Sequence, residues 1–170
     1  AAFAQKFPEK PVKIVVPFAP GGGADMLART LTTGLAEMWG QPVVVENRAG
    51  ASGNIGAEAV ARSDPDGYTL LLTSSAFVIN PGMPGKLPFN VEKDFTPIAM
   101  LGRGPLLVVS SNQSGLTSVR EIIATAKAKP DALNYVSSGV GGILHLATEL
   151  FKQKAQINMT HVPYSGSGPA

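Results

Sequence analysis

The sequence has no cysteine and few charged residues. Without cysteine among its 170 residues, neither a disulfide framework nor a thiolate-held metal site is possible. Only 15% of the residues are charged and the formal net charge is +2. Lysine and arginine are scattered along the chain, which argues against a nucleic-acid surface. No apolar run approaches the roughly 20 residues that a helix needs to cross a bilayer. We therefore expect neither a spanning helix nor a nucleic-acid partner.

The composition is otherwise that of a globular protein. Hydrophobic residues make up 44% of the chain, which is enough for a packed core and unlike a disordered protein. The length allows one domain or parts of two. The first residues, Ala2-Phe3-Ala4 before Gln5, are similar to the small-x-small tail of a secretory signal. An ordinary alanine-rich terminus explains them equally well.

A glycine-rich turn between a strand and a helix organises the first half of the chain. Val12–Val16 is a β-branched apolar run typical of a buried parallel strand. Apolar residues then recur at helical spacing, at Leu27, Leu31, Leu35 and Met38. Between them, Gly21–Gly23 lets a ligand approach the backbone closely and exposes the first N–H groups of the helix, which favour an anion. The sequence predicts a carboxylate site here.

Further strands and helices alternate after this turn. Residues 42–46 and 68–73 have the pattern of strands, with a short helix over 55–62 between them, so we expect right-handed βαβ units and a parallel sheet. Ser74 and Ser75 follow the third strand. Because ligand crevices lie at the carboxyl ends of such strands, these serines and the glycine-rich turn should face one crevice.

The second half begins near a Gly/Pro break. Residues 98–101 and 106–109 are apolar runs that predict two more strands, and the break between them predicts a lobe boundary, with residues 5–101 in a first lobe and 102–170 in a second. Beyond it, Ser118 and Glu121 form a capping box, which predicts a helix start.

A second strand–glycine turn–helix unit occurs in this half. Residues 134–136 predict a strand, 137–142 a Gly/Ser-rich turn, and the apolar stripe after it a helix. A dicarboxylate held between two lobes would need one such unit in each lobe. The alternative is that glycine-rich turns are simply the usual βα connections.

Motifs for other chemistry fail. Met26 and Leu144 stand where a dinucleotide fingerprint needs its third small residue, and neither glycine-rich turn ends as a P-loop does. No nucleophile elbow occurs. His145 and Glu149 share a helix face, but a metal site needs more ligands, so we expect a surface pair or a buried histidine with satisfied hydrogen bonds. The sequence predicts no catalytic residue, no metal ligand and no cofactor.

Several long segments resemble one family. Residues 11–25, 46–56, 94–98, 145–151 and 164–170 are similar, in this order, to segments of the Bug-type substrate-binding proteins of tripartite tricarboxylate transporters. The resemblance covers nearly the whole chain. It implies a type II periplasmic-binding-protein-like α/β fold of two lobes, each a mainly parallel sheet flanked by helices. Family members are longer, so it also implies that the second lobe is incomplete in this chain.

The resemblance also implies a function and a site. The expected function is capture of a small carboxylate (a di- or tricarboxylate, an amino acid or an aromatic acid) for membrane transporter components, by a periplasmic protein whose signal peptide has been removed. We expect a monomer and no enzyme activity. The implied ligand contacts are Phe18, Gly21, Gly22, Gly23, Ala24, Asp25, Ser74 and Ser75 in the first lobe, and Ser138, Gly139, Gly141, Gly142 and Tyr164 in the second.

Some alternatives stay open at this point. Asp25 either contacts the ligand or only stabilises the start of its helix, where a carboxylate is favourable. An α/β enzyme acting on an anionic substrate, or a ligand sensor feeding a signalling partner, would use the same two helix starts.

Overall fold

The computed structural model describes residues 7–170, and the alanine-rich start that resembles a signal-peptide tail lies outside them. Two separate parallel sheets form the frame, one of three strands in the order β2-β1-β3 and one of two strands, β4-β5. The strands are β1 (Val12–Val16), β2 (Val43–Asn47), β3 (Thr69–Leu71), β4 (Asn134–Ser137) and β5 (Thr160–Pro163). The helices are α1 (Gly23–Trp39), α2 (Asn54–Ala61), α3 (Ala76–Ile79), α4 (Val119–Ala128) and α5 (Ile143–Ala155).

The first sheet follows the predicted order of strands and helices. Central strand β1 pairs in parallel with β2, Val12 opposite Val43, and with β3, Lys13 opposite Thr69. Its apolar side chains are almost fully buried. Burial on both faces explains why the run is mostly apolar and does not alternate between apolar and polar residues. Helix α1 packs Ala28, Leu31 and Leu35 against this core. The helix ends at Gly40, whose N–H donates to the carbonyl oxygen of Ala36 at 2.9 Å.

The second sheet contains a strand that the sequence did not predict. Strand β4 lies at the predicted place, and β5 pairs with it in parallel, Asn134 opposite Thr160. Helices α4 and α5 cover the sheet around a small core of Ala126, Ile157 and Met159. Strand β5 has four residues and ends in proline, so its pattern is too short to indicate a strand without its partner.

The predicted capping box of α4 is present with one difference. The Ser118 hydroxyl accepts a hydrogen bond from the Glu121 N–H at 3.2 Å. The Glu121 carboxylate reaches back to the N–H of Thr117 at 2.7 Å, one residue before the expected Ser118.

The two strands predicted at residues 98–101 and 106–109 are wrong for this structure. The segment 96–111 has no regular secondary structure and pairs with no strand of the described chain. Its apolar side chains are exposed, with Leu107 77% and Val109 84% accessible. A β-branched apolar run becomes a strand only when a partner satisfies its backbone groups. The predicted lobe boundary, between residues 101 and 102, falls inside this segment and stays a prediction.

Aromatic contacts hold the proline-rich segment that follows α3. Phe77 of α3 stacks on Phe89 with ring centroids 6.1 Å apart, and Phe95 meets both rings edge-on. Phe77 thus belongs to a packed aromatic cluster. Over residues 7–170, no helix combines the length and the apolar character that crossing a membrane requires.

Candidate ligand site between the two sheets

A cavity of about 290 Å³ lies where loops of the two sheets meet. Its volume is near the lower end of the usual range for small-molecule sites. It is lined by Phe18, Gly50, Ala51, Ser52, Gly53, Ser138, Gly139, Val140, Tyr164 and Ser165. These residues come from the loops that follow β1, β2, β4 and β5. All four loops leave the carboxyl ends of parallel strands, which is where α/β sheets bind ligands.

The wall of this cavity is neutral. Of the ten lining residues, none carries a charged side chain, and the polar groups are backbone amides and the hydroxyls of serine and tyrosine. An anion here would be held by the N–H groups of these loops and by the hydroxyls of Ser138, Tyr164 and Ser165. Such a site can take a carboxylate without an arginine.

The Gly-rich turn after β1 contributes Phe18 to the cavity. The predicted contacts Gly21, Gly22, Gly23, Ala24 and Asp25 do not line it. Gly22 is buried because segment 165–168 covers it: a Cβ added at Gly22 would lie 2.7 Å from the Ser167 hydroxyl oxygen. The Ala19 N–H also donates to the Ser165 carbonyl oxygen at 3.0 Å. This turn therefore meets the loop after β5 directly.

Asp25 is buried and fully engaged with protein groups. The residue is only 4% exposed to solvent. The carboxylate accepts from the Gly21 N–H at 2.9 Å, from Asn47 Nδ2 at 2.9 Å and from Arg29 Nε at 3.0 Å. Asn47 also donates to the Phe18 carbonyl oxygen at 3.1 Å. The network ties the turn to α1 and β2 and thereby positions Phe18 in the cavity wall.

The charge of Asp25 is stabilised by these donors. The hydrogen bond from Arg29, followed by that from the Gly21 N–H, lowers the pKa of Asp25 to about 2, against an opposing effect of burial. The carboxylate is thus ionised over the whole neutral range. Its contacts are those of a structural anchor for the turn.

Ser74 and Ser75 lie at the carboxyl end of β3 as predicted, but neither lines the cavity. Both are exposed. The Ser74 carbonyl oxygen accepts from the Phe77 N–H at 3.1 Å and the Ser75 carbonyl oxygen from Ile79 N–H at 3.2 Å. In this structure the two serines directly precede α3.

The predicted second-lobe residues divide into two groups. Ser138, Gly139 and Tyr164 line the cavity. Gly141 and Gly142 do not line it and are buried. The Gly141 N–H donates to His145 Nδ1 at 3.1 Å, so it is occupied by protein.

The loop after β2 is the part of the site that the sequence reasoning missed. Gly50, Ala51, Ser52 and Gly53 line the cavity, and α2 begins at the next residue. The Ser52 hydroxyl donates to the Val140 carbonyl oxygen across the site. This loop is rich in turn formers, and the carboxyl-end rule applied to β2 would have indicated it. Val140 and Ser165 were missed as well.

A second, more polar cavity of about 210 Å³ lies on the other side of the Ser52–Val140 contact. Asn80 forms part of its wall, and its amide donates to Asn54 Oδ1 at 2.8 Å and to the Ser52 carbonyl oxygen at 3.2 Å. These bonds fix the loop after β2 from behind.

The histidine–glutamate pair of α5 is engaged with protein groups. His145 accepts from the Gly141 N–H, and Glu149 accepts from Lys152 Nζ at 2.7 Å and from the Tyr135 hydroxyl. Within residues 7–170, no cluster of three or more acidic, histidine or cysteine side chains could hold a metal ion. The contacts are those of satisfied side chains.

Comparison with known proteins identifies the family. The profile described as tripartite tricarboxylate transporter family receptor (TctC) matches residues 27–170. The chain belongs to this family. It is 43% identical to the protein BugT of Bordetella pertussis over 170 residues, which is 98% of this chain and 52% of that protein. The chain spans about half the length of the curated relatives that it matches.

Solved structures confirm the fold class. A Rhodopseudomonas palustris protein with adipate superposes with a TM-score of 0.92 at 39% identity, over 96% of this chain and 55% of that one. MatC from the same species with bound malate gives 0.83 at 34% identity, over 96% and 56% of the two chains. The resemblance to Bug-type binding proteins and the two-lobed α/β fold are therefore both confirmed.

Proposed function

We propose that this protein captures a small carboxylate between its two lobes and delivers it to the membrane components of a tripartite tricarboxylate transporter. The observation that carries the proposal is the neutral cavity formed by four loops at the carboxyl ends of strands from both sheets. Membership of a family of transporter receptors supports the same function. Closure of the lobes on the ligand would present a different surface to the membrane partner.

The chemistry of the wall favours a carboxylate over a cation. Ser138, Tyr164 and Ser165 bring hydroxyls to the wall that can donate to an anion. No carboxylate side chain lines the cavity in the described chain to attract a cation. Phe18 and Val140 supply apolar surface for a carbon chain. Adipate and malate, found with two structural relatives, are of this class. Dicarboxylates, tricarboxylates, amino acids and aromatic acids all carry the carboxylate group that this wall would bind.

The same proposal places the protein in the periplasm, as a monomer without enzyme activity. Relatives of the same fold are described as periplasmic. An α/β enzyme on an anionic substrate would need a nucleophile with a base, or a metal. The cavity wall holds serine hydroxyls but no histidine or carboxylate beside them, so the binding function is the better supported of the two.

Calorimetric titration with matched ligands tests the proposal. We expect adipate or malate to bind with one ligand per chain, while adipamide, the neutral analogue of adipate, binds far more weakly because it lacks the charge that the donors stabilise. Native mass spectrometry of the purified protein extends the search to a ligand already bound. Equal affinity for adipate and adipamide, or binding of none of a panel of carboxylates, would contradict the proposal.

A further inference from the structure

The two glycine-rich turns have the same local construction. In the first, Gly21 has a φ of +82° and its N–H donates to the side chain of Asp25 at 2.9 Å. In the second, Gly141 has a φ of +81° and its N–H donates to the side chain of His145 at 3.1 Å. In both, the next glycine caps the helix in an extended conformation. The acceptor is in both cases the third residue of the helix, four positions after the donor.

The sequences of the two turns match this construction. Gly21-Gly22-Gly23-Ala24-Asp25 and Gly141-Gly142-Ile143-Leu144-His145 share two glycines and, four positions after the first, an acceptor side chain. A left-handed φ is adopted by few residues other than glycine. The acceptor fixes that glycine in this conformation, and the turn that precedes it is fixed with it.

The difference between the turns is the chemistry of the acceptor. Asp25 is an anion down to acidic pH, because Arg29 and the Gly21 N–H lower its pKa to about 2. His145 accepts at Nδ1, so its imidazole must be neutral with the proton on Nε2. A protonated imidazole has an N–H on both nitrogens and cannot accept from Gly141. Protonation would therefore place two donors against each other at 3.1 Å.

The turn held by His145 forms one wall of the cavity. Gly139 and Val140, immediately before Gly141, line it. The Val140 carbonyl oxygen accepts from the Ser52 hydroxyl of the opposite loop, and a Cβ on Gly139 would lie 2.9 Å from the same hydroxyl oxygen. The fit is close, so a shift at Gly141 changes the contact between the two sheets.

Other ionisable groups surround His145. From β5, His161 stacks on its ring with centroids 4.3 Å apart, and Tyr135 of β4 stacks on the far face of His161 at 4.7 Å. On α5 itself, Glu149 is paired with Lys152. Burial lowers the pKa of His161, and the charge of a protonated His145 lowers it further. The neutral form of His161 is therefore favoured, and its Nε2 contacts Ser137 Oγ at 2.7 Å.

We infer that His145 is a positioning residue whose neutral imidazole holds the second-lobe turn in its ligand-ready shape, so that carboxylate binding weakens when His145 takes up a proton. The first-lobe turn, held by Asp25, is insensitive to pH over the same range. The inference rests on the proposed function for its effect on binding, but the geometry of the turn can be tested without ligand.

The ligand-free test follows the two glycine amides by ¹H–¹⁵N NMR between pH 8 and pH 5.5, the range in which histidines titrate. We expect the Gly141 amide signal to shift as the pH is lowered, because a protonated His145 ring cannot accept its hydrogen bond, while the Gly21 amide signal stays constant. Replacing His145 by asparagine (His145→Asn) supplies a neutral acceptor of the same reach as Asp25 and should make the Gly141 signal constant. A Gly141 signal that does not move in the wild-type protein, or moves equally in His145→Asn, would overturn the inference.

The binding test compares adipate affinity at pH 8 and pH 5.5 in three proteins. We expect the wild-type affinity to fall roughly three- to tenfold from pH 8 to pH 5.5, which is the effect of losing one neutral hydrogen bond. The change seen in His145→Asn is subtracted first, because it reports the protonation of adipate itself. His145→Ala, without an acceptor, should bind weakly at both pH values. In His161→Gln the pH dependence should remain, and its loss there would assign the effect to His161 instead.

The two proposals fail in different ways. If adipate binds no better than adipamide at pH 8 while the Gly141 amide signal still shifts with pH in the wild-type protein but not in His145→Asn, the proposed ligand class is wrong and the positioning role of His145 stands. If adipate binds with the same pH dependence in the wild-type protein and in His145→Asn, the proposed function stands and the positioning role is wrong.

Discussion

At the scale of single residues, the side chains behind the cavity matter as much as those in its wall. The sequence allowed two roles for Asp25, which are contact with the ligand and stabilisation of the helix start. In the structure its carboxylate is buried and accepts from Gly21, Arg29 and Asn47, so it holds the turn that places Phe18. The same local device recurs around His145. Such anchoring side chains can be recognised only when the structure shows both the hydrogen-bond donor and its acceptor.

Replacing Asp25 by asparagine should destabilise the protein at neutral pH. The folded-state pKa of about 2 lies below the ordinary value of 3.8, so the ionised carboxylate stabilises the fold at pH values above about 4, and that stabilisation is lost as the pH falls through about 2. The difference in pKa corresponds to about 2 kcal/mol. Urea denaturation should show a loss of about this size in Asp25→Asn at pH 7 that shrinks by pH 3.

The exposed Asp64 provides a control for this measurement. Asp64→Asn makes the same chemical change in a surface turn and should alter stability by only a few tenths of a kcal/mol, as most surface substitutions do. If Asp25→Asn lost as much stability at pH 3 as at pH 7, relative to the wild-type protein, the electrostatic explanation would be contradicted.

At the scale of elements, local signals and long-range pairing had different weight. Strand β1, helix α1 and the start of α4 formed where their own residues predicted them. Residues 98–101 and 106–109 had strand-like composition without a partner and stayed unpaired. Strand β5 had a weak pattern but lies beside β4, and the ladder of hydrogen bonds made it a strand. A helix start needs only neighbours in sequence, whereas a strand needs a second strand.

Removing the cap of α4 should cost about 1 kcal/mol of stability. Ser118→Ala deletes the hydroxyl that accepts from the Glu121 N–H, leaving a helix-start donor without its side-chain partner. Ser118→Asp keeps an acceptor at the same position and should stay within a few tenths of a kcal/mol of the wild-type protein. Denaturant midpoints of the three proteins decide the point, and an Asp variant as unstable as the Ala variant would contradict it.

At the scale of the whole molecule, the site is a meeting of two sheets. The Ala19 N–H bonds to Ser165, Ser52 bonds to Val140, and Gly22 lies against Ser167. Each contact joins residues more than 80 positions apart in sequence. Closure of the cavity therefore depends on small residues at these points of close approach.

Replacing Gly22 by leucine should abolish carboxylate binding. Its φ of −84° tolerates a side chain, but the Cβ would lie 2.7 Å from the Ser167 hydroxyl oxygen, so the leucine would force segment 165–168 away and open the site. We expect no calorimetric adipate binding and, in small-angle scattering, a larger radius of gyration. Gly34→Leu, on the exposed face of α1 with nothing near its added Cβ, is the control and should bind as the wild-type protein does. If Gly22→Leu bound adipate with unchanged affinity, the contact between this turn and segment 165–168 would not be needed to close the site.

The sequence by itself determined the first sheet, the two glycine-rich turns with their helices, and the family. Each depends on residues close in the chain: a β-branched run, glycines before a helical stripe, or a contiguous segment shared with relatives. The family resemblance also implied Phe18, Ser138, Gly139 and Tyr164 as ligand contacts, and all four line the cavity.

Only the tertiary structure decided the rest of the site. It placed the loop of Gly50–Gly53 in the wall, turned Asp25 and His145 into anchors, and buried Gly22 under segment 165–168. It also paired β5 and left residues 98–109 without a partner. These outcomes depend on which distant segments meet and which hydrogen bonds are already taken, and no local pattern in the sequence carries that information.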